Sequence, residues 1–213
     1  VLDAVPHRRT DKSPLSNYVS KSNRQSGFML ASRFRTAVHA SALLIPFIAE
    51  VTSKWTVVVA LVATTAAYIL SEALRLRAKN VPLITRFTLI MSREDETPRL
   101  VVAPIYLAVG VVLSLLAFPK NIAYASITIV AVGDPVASYV GRKLGRIHVR
   151  QKTLEGLAGG LIVSFAAALL WVPPHLALAG SAAGMLLELL GLLDDNLTIP
   201  IGAGSAMLIT SIL

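Results

Sequence analysis

Seven apolar stretches, separated by short polar loops, constrain this chain more than any other feature. They run at about 37–53, 55–71, 100–118, 121–140, 157–173, 175–193 and 199–213. Most are near the roughly 20 apolar residues that a helix needs to cross a bilayer. Backbone polar groups at that depth must be satisfied internally. The expected fold class is therefore all-α, a polytopic integral membrane protein of about seven transmembrane helices. A mean hydropathy of +0.67 agrees with this. The first stretch is the most polar, carrying His39 and Glu50, and residues 80–91 are short and contain Arg86. That piece suits an interfacial or re-entrant segment. Residues 1–32 read as a polar basic tail with no signal-peptide-like core, and residues 33–213 as one membrane-embedded domain.

Charge sets the expected orientation. The N-terminal tail holds seven Lys and Arg, the 72–99 loop six and the 141–155 loop five, leaving only Lys54 and Lys120 on the opposite side. The positive-inside rule then places the tail and both long loops in the cytosol. Trp55 and Trp171 fall at span ends, where an aromatic belt would put them. The net charge of +8 is explained by topology, so no nucleic-acid partner is expected. With no cysteine in the chain, disulfides, thiolate metal sites and cysteine nucleophiles are excluded. The expected location is the plasma membrane of a prokaryote or the endoplasmic reticulum.

The same threading brings Glu72, Asp134, Glu155 and Asp194–Asn196 to the cytosolic side, and carboxylates at bilayer margins are costly enough to mark function. Gly133-Asp134-Pro135 interrupts a span. Aspartate suits a helix cap and proline the first helical position, so a broken helix with a new N-terminus is expected here. Such an end attracts phosphate, and Asp134 beside it is the first choice for a Mg²⁺ ligand. The alternative is a proline kink with a capping aspartate.

In the next loop, Arg142, Lys143, Arg146, Lys152 and Thr153 lead to Glu155. Guanidinium forks and ammonium charges suit polyphosphate, although a short cytosolic loop is basic for topology alone. Thr153 can cap the following helix, and Gly156, Gly159 and Gly160 can allow close helix packing.

Asp194-Asp195-Asn196 offers hard oxygen ligands and a general base, with one aspartate binding and the other orienting. Glu188 lies seven residues before Asp195, on the same helix face. Glu72 with Arg75 is either a helix-surface pair or a wall of the site. No P-loop, dinucleotide fingerprint, H-E-x-x-H or nucleophile elbow is present.

Gly133-Asp134-Pro135, Gly141-Arg142-Lys143-Leu144-Gly145, Lys152-Thr153-Leu154-Glu155-Gly156 and Asp194-Asp195-Asn196-Leu197-Thr198-Ile199-Pro200 follow one another in order. In this the chain resembles the polyprenol kinase family, which includes dolichol kinases, phytol kinases and the fungal CTP-dependent diacylglycerol kinase. The resemblance runs from about Arg33 to Leu213, with Arg35 to His39 a looser match. Pro135 and Thr153 depart from the residues common at those positions in the family.

The resemblance implies transfer of the γ-phosphate of CTP to a membrane lipid alcohol, with Mg²⁺ as cofactor. It implies catalytic roles for Asp134, Glu155, Asp194 and Asp195, metal binding by Asp134, Asp195 and Asn196, and phosphate binding by Gly133, Arg142, Lys143, Arg146, Lys152 and Thr153. Arg35, His39, Glu72, Arg75 and Glu188 would contact substrate or support those groups. The competing readings are a cytidylyltransferase making a CDP-lipid and a small-solute transporter. The acids cluster at one face and no internal repeat is evident, which disfavours transport.

Overall fold

The computed structural model describes residues 39, 41–76, 102–191 and 193–213, with the side chains of Arg75 and Leu76 outside that description. The basic tail, Arg35 and the 80–91 segment also lie outside the described residues. Seven helices are found among the described residues, one on each apolar stretch. They are α1 (Leu44–Val51), α2 (Lys54–Leu76), α3 (Ala103–Ala117), α4 (Lys120–Leu144), α5 (Leu154–Ala168), α6 (Pro174–Leu190) and α7 (Asp195–Ile212). Between α4 and α5 lies a small antiparallel hairpin, β1 (His148–Val149) and β2 (Lys152–Thr153), pairing His148 with Thr153 and Val149 with Lys152.

Two of these helices, α2 and α4, are long and apolar enough to cross a membrane. The others are shorter or more polar. Fifteen residues, as in α3 and α5, rise about 22 Å against a hydrocarbon core of about 30 Å.

Helix α4 is the axis of the molecule. Residues Ile122 to Ala131 are buried on every side, because α1, α3, α5, α6 and α7 all pack against it. This packing overrides the local signal at Pro135. The broken helix expected there is not formed: α4 runs without interruption through Gly133, Asp134 and Pro135. The proline ring removes one backbone donor and leaves the Ala131 carbonyl without its usual partner. That cost is met by burial of the helix around it, so Asp134 projects from a continuous helix and caps none.

The closest contact is between α4 and α5, and small residues in matching register make it. Gly133, Ala137 and Gly141 on α4 recur every fourth residue, as do Gly156, Gly160 and Ser164 on α5. A Cβ at Gly156 would lie 2.7 Å from the Ala137 carbonyl oxygen, and one at Gly160 would lie 3.1 Å from that of Gly133. The helices therefore touch backbone to backbone, as small-xxx-small seams allow.

Helix ends follow from their caps. Thr153 Oγ1 accepts from the Gly156 amide at 3.1 Å to start α5, as its sequence position suggests. Asp194 Oδ1 accepts from the Asn196 amide at 3.0 Å to start α7. Gly191 ends α6 in the left-handed conformation.

The Trp171 indole N–H donates to Thr128 Oγ1 at 2.9 Å, and its half-buried ring packs on Phe47 and Tyr124 against the core. Trp55 is 60% exposed beside Lys54.

Candidate active site

The alternation of helix directions brings the C-terminal half of α4, the end of α6 and the start of α7 together. The β1–β2 hairpin folds over them. Each element contributes one charged group. Asp134 comes from α4, Glu188 from the last turn of α6 and Asp195 from the first turn of α7, and carboxylate oxygens of all three lie within 4.8 Å of one another. Lys152, from β2, places its ammonium among them. It donates to Glu188 and, at 2.7 Å, to Asp195 Oδ2, and stands 3.8 Å from Asp134 Oδ1.

Exposure grades across the cluster. The side chain of Glu188 is 2% accessible, that of Asp134 16%, that of Asp195 22% and that of Lys152 25%. Glu188 is therefore the innermost group of the cluster, and Lys152 and Asp195 are its most accessible ones. Burial alone would lower the Lys152 pKa, but the facing carboxylates of Asp134, Asp195 and Glu188 hold it above the ordinary lysine value. With all groups ionised, three negative charges face one positive charge, and the remaining deficit suits a divalent cation.

Around the cluster, several buried polar atoms have no hydrogen-bond partner: Asp195 Oδ1, Asn196 Oδ1 and His39 Nδ1. His39, 4% exposed, holds that nitrogen 3.8 Å from Asp134 Oδ2. Asn196 is buried beside Asp195, and its amide reaches the Ala103 carbonyl only at 3.5 Å. Hard oxygen donors at metal-compatible spacing, together with an orphaned carboxylate oxygen, fit a Mg²⁺-type ion held by Asp134, Glu188 and Asp195.

The remaining expected residues are distributed differently. The adjacent aspartates divide their work as their sequence implies: Asp195 faces the cluster while Asp194 caps α7. Glu155 is not brought to the carboxylates. Both its oxygens accept from the Ile147 amide at 3.3 Å.

With Lys143, Leu144, Gly145 and Arg146, Glu155 lines an open cleft of about 460 Å³. Lys143 also stands over the Tyr139 ring at 4.8 Å, and Arg142 is exposed in the last turn of α4. Gly133 is buried in the α4–α5 seam, against Ser164 and Met185. Glu72 is completely buried on α2.

The expectation that Glu188 and Asp195 share a helix face is not met: Glu188 ends α6 and Asp195 starts α7, and the two meet at the cluster across the intervening turn. One feature was not assigned from sequence. Arg150 takes a positive φ of 55° in the hairpin turn and donates to the Leu190 carbonyl at 2.7 Å. For a residue with a Cβ that conformation costs about 1 to 2 kcal/mol. No family model, curated protein or solved structure matches this chain.

Proposed function

We propose that the protein is a membrane-embedded phosphotransferase that moves the γ-phosphate of CTP to the hydroxyl of a lipid alcohol, of the polyprenol, phytol or diacylglycerol kind. The observation that carries this reading is the convergence of Asp134, Glu188 and Asp195 on Lys152 in an apolar bundle. The nucleotide and the acceptor class rest on the resemblance of the ordered motifs to those of polyprenol kinases.

We read all seven helices as embedded, with the charged end on the cytosolic face. Large apolar side chains on the outside support that reading: Val59, Ile162 and Leu170 are each at least 66% exposed, while the apolar core encloses Glu72 and Glu188. The shorter helices suit a locally thinned bilayer. A lipid hydroxyl at that end meets a water-soluble nucleotide without leaving its leaflet.

The chain's own residues would act as follows. Asp134, Glu188 and Asp195 would hold Mg²⁺, which when bound would neutralise triphosphate oxygens. Lys152, at the accessible side of the cluster, would turn its ammonium from the carboxylates to the incoming phosphates. Lys143 and Arg146, in the adjoining cleft, would bind the rest of the polyphosphate. The alcohol oxygen forms a bond to the γ-phosphorus as the bond to the β-phosphate bridging oxygen breaks, and CDP leaves. The hydroxyl proton passes to a carboxylate. Asp134, whose carboxylate stands 3.8 Å from the Lys152 ammonium and 3.8 Å from the His39 ring, has room to accept it.

The test is purified protein in mixed micelles with Mg²⁺ and CTP or ATP labelled at the γ-phosphate, offered diacylglycerol, phytol, geranylgeraniol and dolichol separately. Label in one lipid, lost in Asp134→Asn, supports the reading. Labelled pyrophosphate released from CTP with a phosphatidic acid, and no labelled lipid, would reassign the protein to CDP-lipid synthesis.

A further inference from the structure

The β1–β2 turn has two central residues, Arg150 and Gln151, and only the first takes a positive φ. Turns of this kind favour glycine there, because a Cβ is crowded. What arginine brings to the position is its side chain. That side chain reaches across 40 residues to the Leu190 carbonyl at the end of α6. Carbonyls of the last helical turn have no partner within the helix and carry its negative dipole end, so a guanidinium is well matched to one.

Lys152 follows two residues later, and its two closest partners, Glu188 and Asp195, flank Leu190 in sequence. Both cations of the hairpin thus grip the same α6–α7 corner, one by backbone carbonyl and one by carboxylates. Lys152 has a long flexible stem, and the hairpin that carries it is only two residue pairs long. The base of the hairpin is held by the Thr153 cap and by the Leu154 amide, which donates to the Ile147 carbonyl at 3.0 Å, whereas at its turn Arg150 supplies the anchor.

We propose that Arg150 is a positioning residue for Lys152: its bond to the Leu190 carbonyl locks the turn to the α6–α7 corner and sets the ammonium among the three carboxylates. The catalytic part of this inference rests on the phosphotransferase reading, whereas the positional part does not.

The chain has no cysteine, so spin labels can be placed at Gln151→Cys and Leu186→Cys, both exposed, without background. Pulsed EPR should give one narrow distance in the otherwise unaltered protein. Arg150→Ala, which keeps a Cβ, and Arg150→Gly, which relieves the turn, should both broaden the distribution, and Arg150→Lys should restore much of it. Arg146→Ala, in the same loop, should leave it narrow.

Phosphoryl transfer in Arg150→Ala should fall by roughly tenfold, the worth of one charge-assisted hydrogen bond, through kcat rather than the KM for the alcohol. An unchanged narrow distance in both Arg150→Ala and Arg150→Gly would overturn the proposal. If the unaltered protein phosphorylates none of the alcohols, the functional reading fails, and the distance measurement still decides the latch.

Discussion

Replacing Lys152 with methionine removes the one ammonium that the described residues place among the three carboxylates, while keeping most of the side-chain volume. Two unit charges at 4.8 Å repel by about 3.5 kcal/mol at an effective dielectric constant of about 20. Breaking a buried ion pair from one side costs about 3 to 5 kcal/mol. Lys152 is a quarter exposed, so the lower end applies and a loss of about 3 kcal/mol is expected.

The assay is denaturant unfolding of the detergent-solubilised protein, with and without Mg²⁺. If the same carboxylates form a divalent site, the ion should replace the missing ammonium. At a concentration 100-fold above its dissociation constant it returns about 2.7 kcal/mol, most of what was lost. Ca²⁺ should do so less well if the carboxylates are held close, and Na⁺ at equal ionic strength should not. A variant as stable as the parent would refute the electrostatic account of the cluster. A large loss that Mg²⁺ leaves untouched would refute the metal site while sparing the ion pair.

Other substitutions separate neighbouring roles. Asp194→Ala should cost about 1 kcal/mol through the lost α7 cap and leave Mg²⁺ binding in place, whereas Asp195→Asn should weaken Mg²⁺ binding with little loss of helix stability; calorimetry and thermal melts distinguish them. Gly156→Ala should destabilise by about 1 to 3 kcal/mol, because its Cβ meets a backbone carbonyl. Gly202→Ala meets only the end of the Leu187 side chain and should cost less than about 1 kcal/mol in the same melts. Lys152 has a raised pKa in the folded protein, so its stabilisation is complete below the ordinary lysine value and fades only as pH climbs through the raised one. The melting difference between the parent and Lys152→Met should therefore stay level from about pH 6 to about pH 9; a difference that halves by the upper value would contradict the burial of this ammonium among carboxylates.

Residue pattern reached far in this chain where one helix face or one cap carries the information. The seven apolar stretches each became a helix, and Thr153 caps α5 as its type suggests. Glu188 and Asp195 do meet, but across the α6–α7 turn and not on one helix face, so their seven-residue spacing is not what joins them. The local signal misled at Pro135, because a proline reads as a break until the surrounding helices are known to bury the segment on all sides. Glu155 was drawn to the site by its motif, yet its partner is an amide presented by a hairpin that hydropathy cannot reveal. The role of Arg150 depends on a backbone angle and a contact 40 residues away, and neither leaves a trace in composition or period. The small-residue seam was half visible: the glycines of α5 stood out, but Gly133, Ala137 and Gly141 opposite them are recognisable only once the register of α4 against α5 is fixed.

The enclosure of α4 also bears on how the chain assembles. Its neighbours are synthesised both before it, α1 and α3, and after it, α5 to α7. Its mean hydropathy of 1.3 over the best window is modest beside the 1.9 of α2. On the embedded reading proposed above, α4 would be made before Lys152, so Asp134 would gain that partner only when the hairpin follows it. Glu188 and Asp195 are made later still, so the cluster is complete only once α7 has begun.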